Sequence, residues 1–132
     1  MDLPTSRMLA RLLALGRVGI GLTALVAPTV MTRPWIGEAA RDKPARLLAR
    51  TMAGRDIALG VGALRALSFS DQEARPWVAL GGMADGVDAL ATVMAFATLP
   101  RRSRWGILAV TVGAAVVSTR AAVSLDTAAL VN

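Results

Sequence analysis

Apolar residues run along this chain in four long stretches, separated by short segments rich in Pro, Arg and acidic residues. The first stretch covers residues 8–27 and stops at Pro28, which cannot continue a helix. The second covers residues 45–67, behind Asp42, an N-cap residue type, and Pro44, which suits a first turn. Ser70 and Glu73 have the spacing of a capping box, but Pro76 falls too deep for a helix that starts at Ser70. The pattern therefore predicts a short interfacial turn over residues 70–75 and a third helix over 76–99, ended by Pro100. Ser103 is placed to cap a fourth helix over residues 105–125.

Each stretch has roughly 20 to 24 residues, and a helix of about 20 residues crosses a hydrocarbon core of about 30 Å. Trp35, Trp77 and Trp105 all fall at the ends of stretches, where an amphipathic ring prefers the membrane interface. The expected fold class is all-α: a four-helix transmembrane bundle, with residues 1–132 forming one integral membrane domain in a bacterial inner membrane. The objection is that no stretch contains 18 uncharged residues in succession, the longest uncharged runs being 18–32 and 105–119. An Arg or Asp at a helix centre costs about 2.5–3.5 kcal/mol on an insertion scale, and the surrounding Leu, Ile, Val and Ala offset most of that. Arg7 and Arg11 before an apolar run also resemble a signal peptide. Arg17 interrupts that run and Pro28 would follow Ala27, its one suitable cleavage residue, so an uncleaved first span is expected.

Composition agrees, with 55% hydrophobic residues and a mean hydropathy of +0.53. The chain has no Cys and no His, which excludes thiol chemistry, disulfides and imidazole or thiolate metal sites. Only oxygens remain to hold a metal, and neither a metal nor a cofactor is expected. A formal net charge of +6 would suit nucleic acid, yet the positive charge clusters at the ends of apolar stretches, as topology requires. The expected partner is the lipid bilayer, with no nucleic acid. Arg33, Arg41, Lys43, Arg46, Arg101, Arg102 and Arg104 lie in the first and third connections, against Arg7, Arg11, Arg65 and Arg75 on the other side. The positive-inside rule then puts those connections in the cytoplasm and both termini outside.

Small residues recur at four-residue spacing: Gly54, Ala58 and Gly62, then Gly82 and Gly86, then Ala109 and Gly113. Such stripes allow close helix approach, either within one bundle, the preferred reading, or at a homo-oligomer seam. Gly19-x-Gly21-x-x-Ala24 matches a loose dinucleotide fingerprint, but no strand precedes it and the phosphate-cradling geometry is absent.

The chemistry lies in the charges within the apolar stretches: Arg17, Arg55, Asp56, Asp85 and Asp88 near their centres, and Arg120 further along the fourth. Asp85 and Asp88 share a helix face, with Gly81 and Thr92 extending it. Adjacent Arg55 and Asp56 diverge by about 100°, so their main partners are expected on other helices. The expected pairs are Arg55 with Asp85 or Asp88, and Asp56 with Arg17 or Arg120. Three positive and three negative groups suggest a neutral lattice that fixes helix register. Intramembrane ionisable groups equally suggest a polar centre that binds a substrate, ion or proton.

The run Arg50-Thr-Met-Ala-Gly-Arg-Asp-Ile-Ala-Leu-Gly-Val-Gly and the later Met83-Ala-Asp-Gly-Val-Asp-Ala-Leu resemble the family catalogued as domain of unknown function 4267. The resemblance covers the second and third helices. It implies a four-helix membrane fold with Arg55, Asp56, Asp85 and Asp88 as the characteristic polar positions, and it implies no activity. Three functions remain open. One is a non-enzymatic component that binds a small or lipid-like ligand or a larger membrane complex. The others are a proton- or ion-coupled transporter, and a membrane enzyme using Asp85 or Asp88 as acid or base on a lipid-like substrate.

Overall fold

The computed structural model describes residues 3–129, and among them it is all-α. Helices α1 (Leu3–Val26), α2 (Pro28–Ile36), α3 (Lys43–Leu67), α4 (Asp71–Met94) and α5 (Arg104–Ala129) follow one another, with a 3-10 turn at Gly37–Arg41. The four long helices form a ring in the order α1, α3, α4, α5, and the closest pairs are α1 with α3 and α4 with α5. Neighbours run antiparallel. Arg50 at the start of α3 donates to the Leu25 carbonyl at the end of α1, and Arg7 near the start of α1 donates to the Leu67 carbonyl at the end of α3.

Among the described residues five α-helices stand where four were expected. The segment after Pro28 is not an irregular connection: Pro28 sits at the start of α2, where its missing N–H has no partner to lose. Gly37 ends α2 at φ 67°, a left-handed conformation that favours glycine, and its N–H bonds the Arg33 carbonyl. Asp42 does occupy the N-cap of α3, in an extended conformation, but its side chain makes no capping bond. Helix α4 begins at Asp71, not at Pro76. Ser70 Oγ accepts from Glu73 N–H at 3.1 Å, and Asp71 and Glu73 place negative charge on the first turn. That cap outweighs the one backbone bond to the Gln72 carbonyl that Pro76 removes. At its other end α4 stops at Met94, and residues 95–103 turn the chain through short bonds such as Leu99 N–H to the Ala95 carbonyl.

The interior is built mostly of alanine, with a few larger residues. Ala10, Ala66, Leu67, Ala74, Val78, Ala121, Ala122 and Leu125 pack together from all four long helices at the end where α1 starts and α5 finishes. The large apolar side chains point the other way: Leu12, Leu15, Leu22, Leu47, Leu48, Met83, Val87, Leu90, Val110 and Val123 are all exposed. In water such a surface is an association site, since soluble monomers rarely expose large contiguous apolar patches. Helix α1 over Pro4–Val26 and α5 over Arg104–Leu125 are long and apolar enough to cross a membrane, each with a hydropathy of 1.7. Helices α3 and α4, which carry most of the central charge, do not reach that composition.

Close approach uses part of the stripe in the sequence, Gly62 and Gly82, together with glycines outside it. A Cβ on Gly60 would lie 2.6 Å from the Ala14 carbonyl oxygen and 2.7 Å from Val18 Cγ2, and one on Gly21 would lie 2.8 Å from the Ala53 carbonyl oxygen. These two positions set the α1–α3 distance. Gly62 is covered by the Trp77 ring, and Gly82 faces Ser118. Gly54, Gly86 and Gly113 meet nothing within 4 Å.

Candidate functional site: a chain of alternating charges

Three helices bring five charged side chains together near their midpoints. Helix α1 supplies Arg17, α3 supplies Arg55 and Asp56, and α4 supplies Asp85 and Asp88 from one face. Arg17 Nη2 donates to both the Gly81 carbonyl and Asp85 Oδ2, while its Nη1 lies 3.5 Å from Asp56 Oδ1. Arg55 grips Asp88 with both ends of its fork, Nη1 to Oδ1 at 3.2 Å and Nη2 to Oδ2 at 2.9 Å. It also reaches its neighbour Asp56 through Nε at 3.2 Å and Nη2 at 3.1 Å. The five groups thus form one string: Asp85, Arg17, Asp56, Arg55, Asp88. Signs alternate along it, and both ends are negative.

Arg17 is the hinge of this arrangement, because it crosses the ring from α1 to α4. Gly81 makes room for it: a Cβ there would lie 2.8 Å from Arg17 Nε and 3.0 Å from Nη2. Thr92 Oγ1 donates to the Asp88 carbonyl and is buried within the same face of α4. Four of the five side chains are 11–15% exposed, and Arg55 is 32% exposed. A small, partly open cavity of about 10 Å³ borders Arg17 between α1, α3, α4 and Ser118 of α5. That is close to the space one water molecule occupies.

The structure brings together five of the six candidate residues and leaves out one. Arg120 is exposed on α5 and makes no ion pair among the described residues. It is therefore not a partner of Asp56, and the three-against-three balance expected of the sequence does not hold. Arg55 and Asp56 also bond each other despite their adjacency, because the long Arg55 side chain folds back along its own helix. The Gly81 carbonyl was not among the expected site groups. A second clip, Arg7 to Asp71 at 3.1 Å, was not expected either, since both lie outside the apolar runs. Among the described residues no group of three or more acidic side chains is arranged to hold a metal ion.

Charge is also sorted along the bundle axis. Gly37 lies against Pro100, so the α1–α3 connection and the α4–α5 turn share one end. That end carries Arg33, Arg41, Lys43, Arg46, Arg50, Arg101, Arg102 and Arg104 against Glu38 and Asp42, and so holds the whole net charge of +6. No protein-family description, curated protein or solved structure matches the chain.

Proposed function

We propose that this chain is a four-span membrane protein of the bacterial inner membrane whose Arg–Asp string binds one proton at mid-depth, as part of a proton-coupled transport function. The membrane reading is supported by the small-residue interior, the outward-facing Leu, Val and Met, and the concentration of positive charge at one end. It places that basic end in the cytoplasm and both ends of the described chain on the opposite side. Membership of the family catalogued as domain of unknown function 4267 belongs to the same proposal and adds no activity to it.

One observation carries the proton. The string holds three carboxylates and two guanidinium groups, and Arg120, the sixth group that would balance it, lies elsewhere. An uncompensated charge in a low-dielectric medium is expensive, and a bound proton removes it. Asp88 is held through both oxygens, whereas Asp85 is held through Oδ2, so Asp85 is the member better placed to gain and lose a proton. The test is the decay of an imposed pH gradient across sealed liposomes containing the purified chain. Faster decay than with the Asp85→Asn variant supports the proposal, and equal decay contradicts it.

A second reading is docking of a membrane partner against α3 and α4. It is favoured by Arg55, whose side chain is one-third exposed at the middle of α3 beside the open Gly54. A partner that covered this face would shield the guanidinium from lipid.

A further inference from the structure

A cavity lies away from the charged string, along the first turns of α1. It is an open groove of about 360 Å³, lined by Arg7, Met8, Arg11, Leu12, Leu15 and, across from them, Leu67 at the end of α3. Its chemistry changes with depth. Arg7 lies ten residues before Arg17, which at the rise of an α-helix is about 15 Å, half of a hydrocarbon core of about 30 Å. With the charged string near mid-membrane, the Arg7 guanidinium sits at headgroup depth and Leu15 close to the centre.

The two arginines differ in what holds them. Arg7 is fixed by the Leu67 carbonyl at 3.0 Å and Asp71 at 3.1 Å, and remains half exposed. Arg11 lies one turn deeper, is exposed, and pairs with no carboxylate among the described residues. A guanidinium at that depth extends its apolar stem along the helix and seeks an anion at the interface. Met8, Leu12 and Leu15 meanwhile offer an apolar wall below it.

We infer that this groove seats one anionic phospholipid, with its phosphate on Arg11 and the rim of Arg7, and an acyl chain along Met8, Leu12 and Leu15. The inference rests on the four-span reading, and its occupant follows from charge and depth together. A free phosphate has no use for the apolar wall, and a zwitterionic lipid brings no net charge to Arg11. The overall balance of this end of the bundle is not strongly basic, so the site is local and not a general attraction to anionic membrane.

The test is native mass spectrometry of the full chain released from detergent, titrated separately with phosphatidylglycerol and phosphatidylcholine. One phosphatidylglycerol is expected to be retained in preference to phosphatidylcholine. Arg11→Gln, a change at an exposed side chain, should weaken that retention about tenfold, the loss of one charge-assisted contact. Arg11→Lys should keep most of it, and the pair Arg101→Gln with Arg102→Gln at the basic end should leave it unchanged. Equal retention of both lipids overturns the inference. So does a preference that survives Arg11→Gln, one abolished by the Arg101 and Arg102 changes, or one displaced by inorganic phosphate. Carbonate washing of the membranes separates the two levels of the argument. A chain that stays in the pellet yet shows no lipid preference fails the groove alone, while a chain released by the wash fails the four-span reading.

Discussion

Arg55 holds both carboxylate oxygens of Asp88, at 3.2 and 2.9 Å, and so ties α3 to α4 across a seam of the ring that is packed less tightly than α1 with α3 or α4 with α5. The tighter pairs, α1 with α3 and α4 with α5, form two halves, and the central charges join them: Arg17, Arg55 and Asp56 on the first half, Asp85, Asp88 and the Gly81 carbonyl on the second. Removing Arg55 strands Asp88 at the centre of the bundle. Arg55→Ala should therefore lower stability by about 3 kcal/mol, against 0–1 for the exposed Arg101→Ala. Adding Asp88→Asn to Arg55→Ala should recover part of the loss. Thermal denaturation of the detergent-solubilised single and double variants measures all three, and equal stability of the Arg55 and Arg101 variants would contradict the tie.

Arg17 serves two carboxylates and a carbonyl with one planar group. A lysine at this position has the same charge but no fork, so it cannot reach all three. Arg17→Lys should fall most of the way to Arg17→Ala in thermal stability. A lysine variant indistinguishable from the native chain would show that charge alone, and not geometry, is what the centre needs.

The glycines separate into two classes that substitution can tell apart. Gly60→Leu and Gly21→Leu push side chains into the α1–α3 contact and should each destabilise by about 1–3 kcal/mol, the usual range for overpacking. Gly54→Ala meets open space and removes backbone freedom in a helix, so it should be neutral or stabilising by up to about 1 kcal/mol. The opposite ranking would mean that the α3 face bearing Gly54 is the buried one.

Much of this architecture is readable from residue order. Pro28 marks where the first long helix ends, and the helical spacing of Asp85 and Asp88 puts both on one face, whereas α4 stops at Met94, short of the end at residue 99 that Pro100 suggests. Other features depend on how far a side chain reaches or which way a helix is rotated, and order alone does not carry them. Arg120 lies within an apolar helix like Arg17, but the rotation of α5 turns it outward. The stripe of Gly54, Ala58 and Gly62 has ideal spacing, yet the α1–α3 contact selects Ala53 and Gly60 because α1 crosses α3 on the adjacent face. Helix α4 starts one turn before its proline because the Ser70 cap and two acidic residues act together, while proline alone reads as a stop. The role of Gly81 is invisible in composition, since it consists of space left for a guanidinium from another helix.

Topology gives a further expectation. Under the proposed four spans the chain returns to the side it started from, so reporters fused at both ends should report the same compartment. Replacing Arg101, Arg102 and Arg104 by Gln removes three of the eight positive charges at the basic end and should weaken the preferred orientation. Reporters on opposite sides of the membrane would exclude four spans.

The string of five charges ends in a carboxylate on both sides, and under the proposed function one bound proton closes its balance. Infrared absorption of the chain reconstituted in lipid at neutral pH reads this directly, because a protonated carboxyl and a carboxylate absorb at different frequencies. The account predicts a protonated-carboxyl band that persists in the Asp71→Asn variant and disappears in Asp85→Asn. A spectrum with every carboxyl group ionised at neutral pH would contradict it.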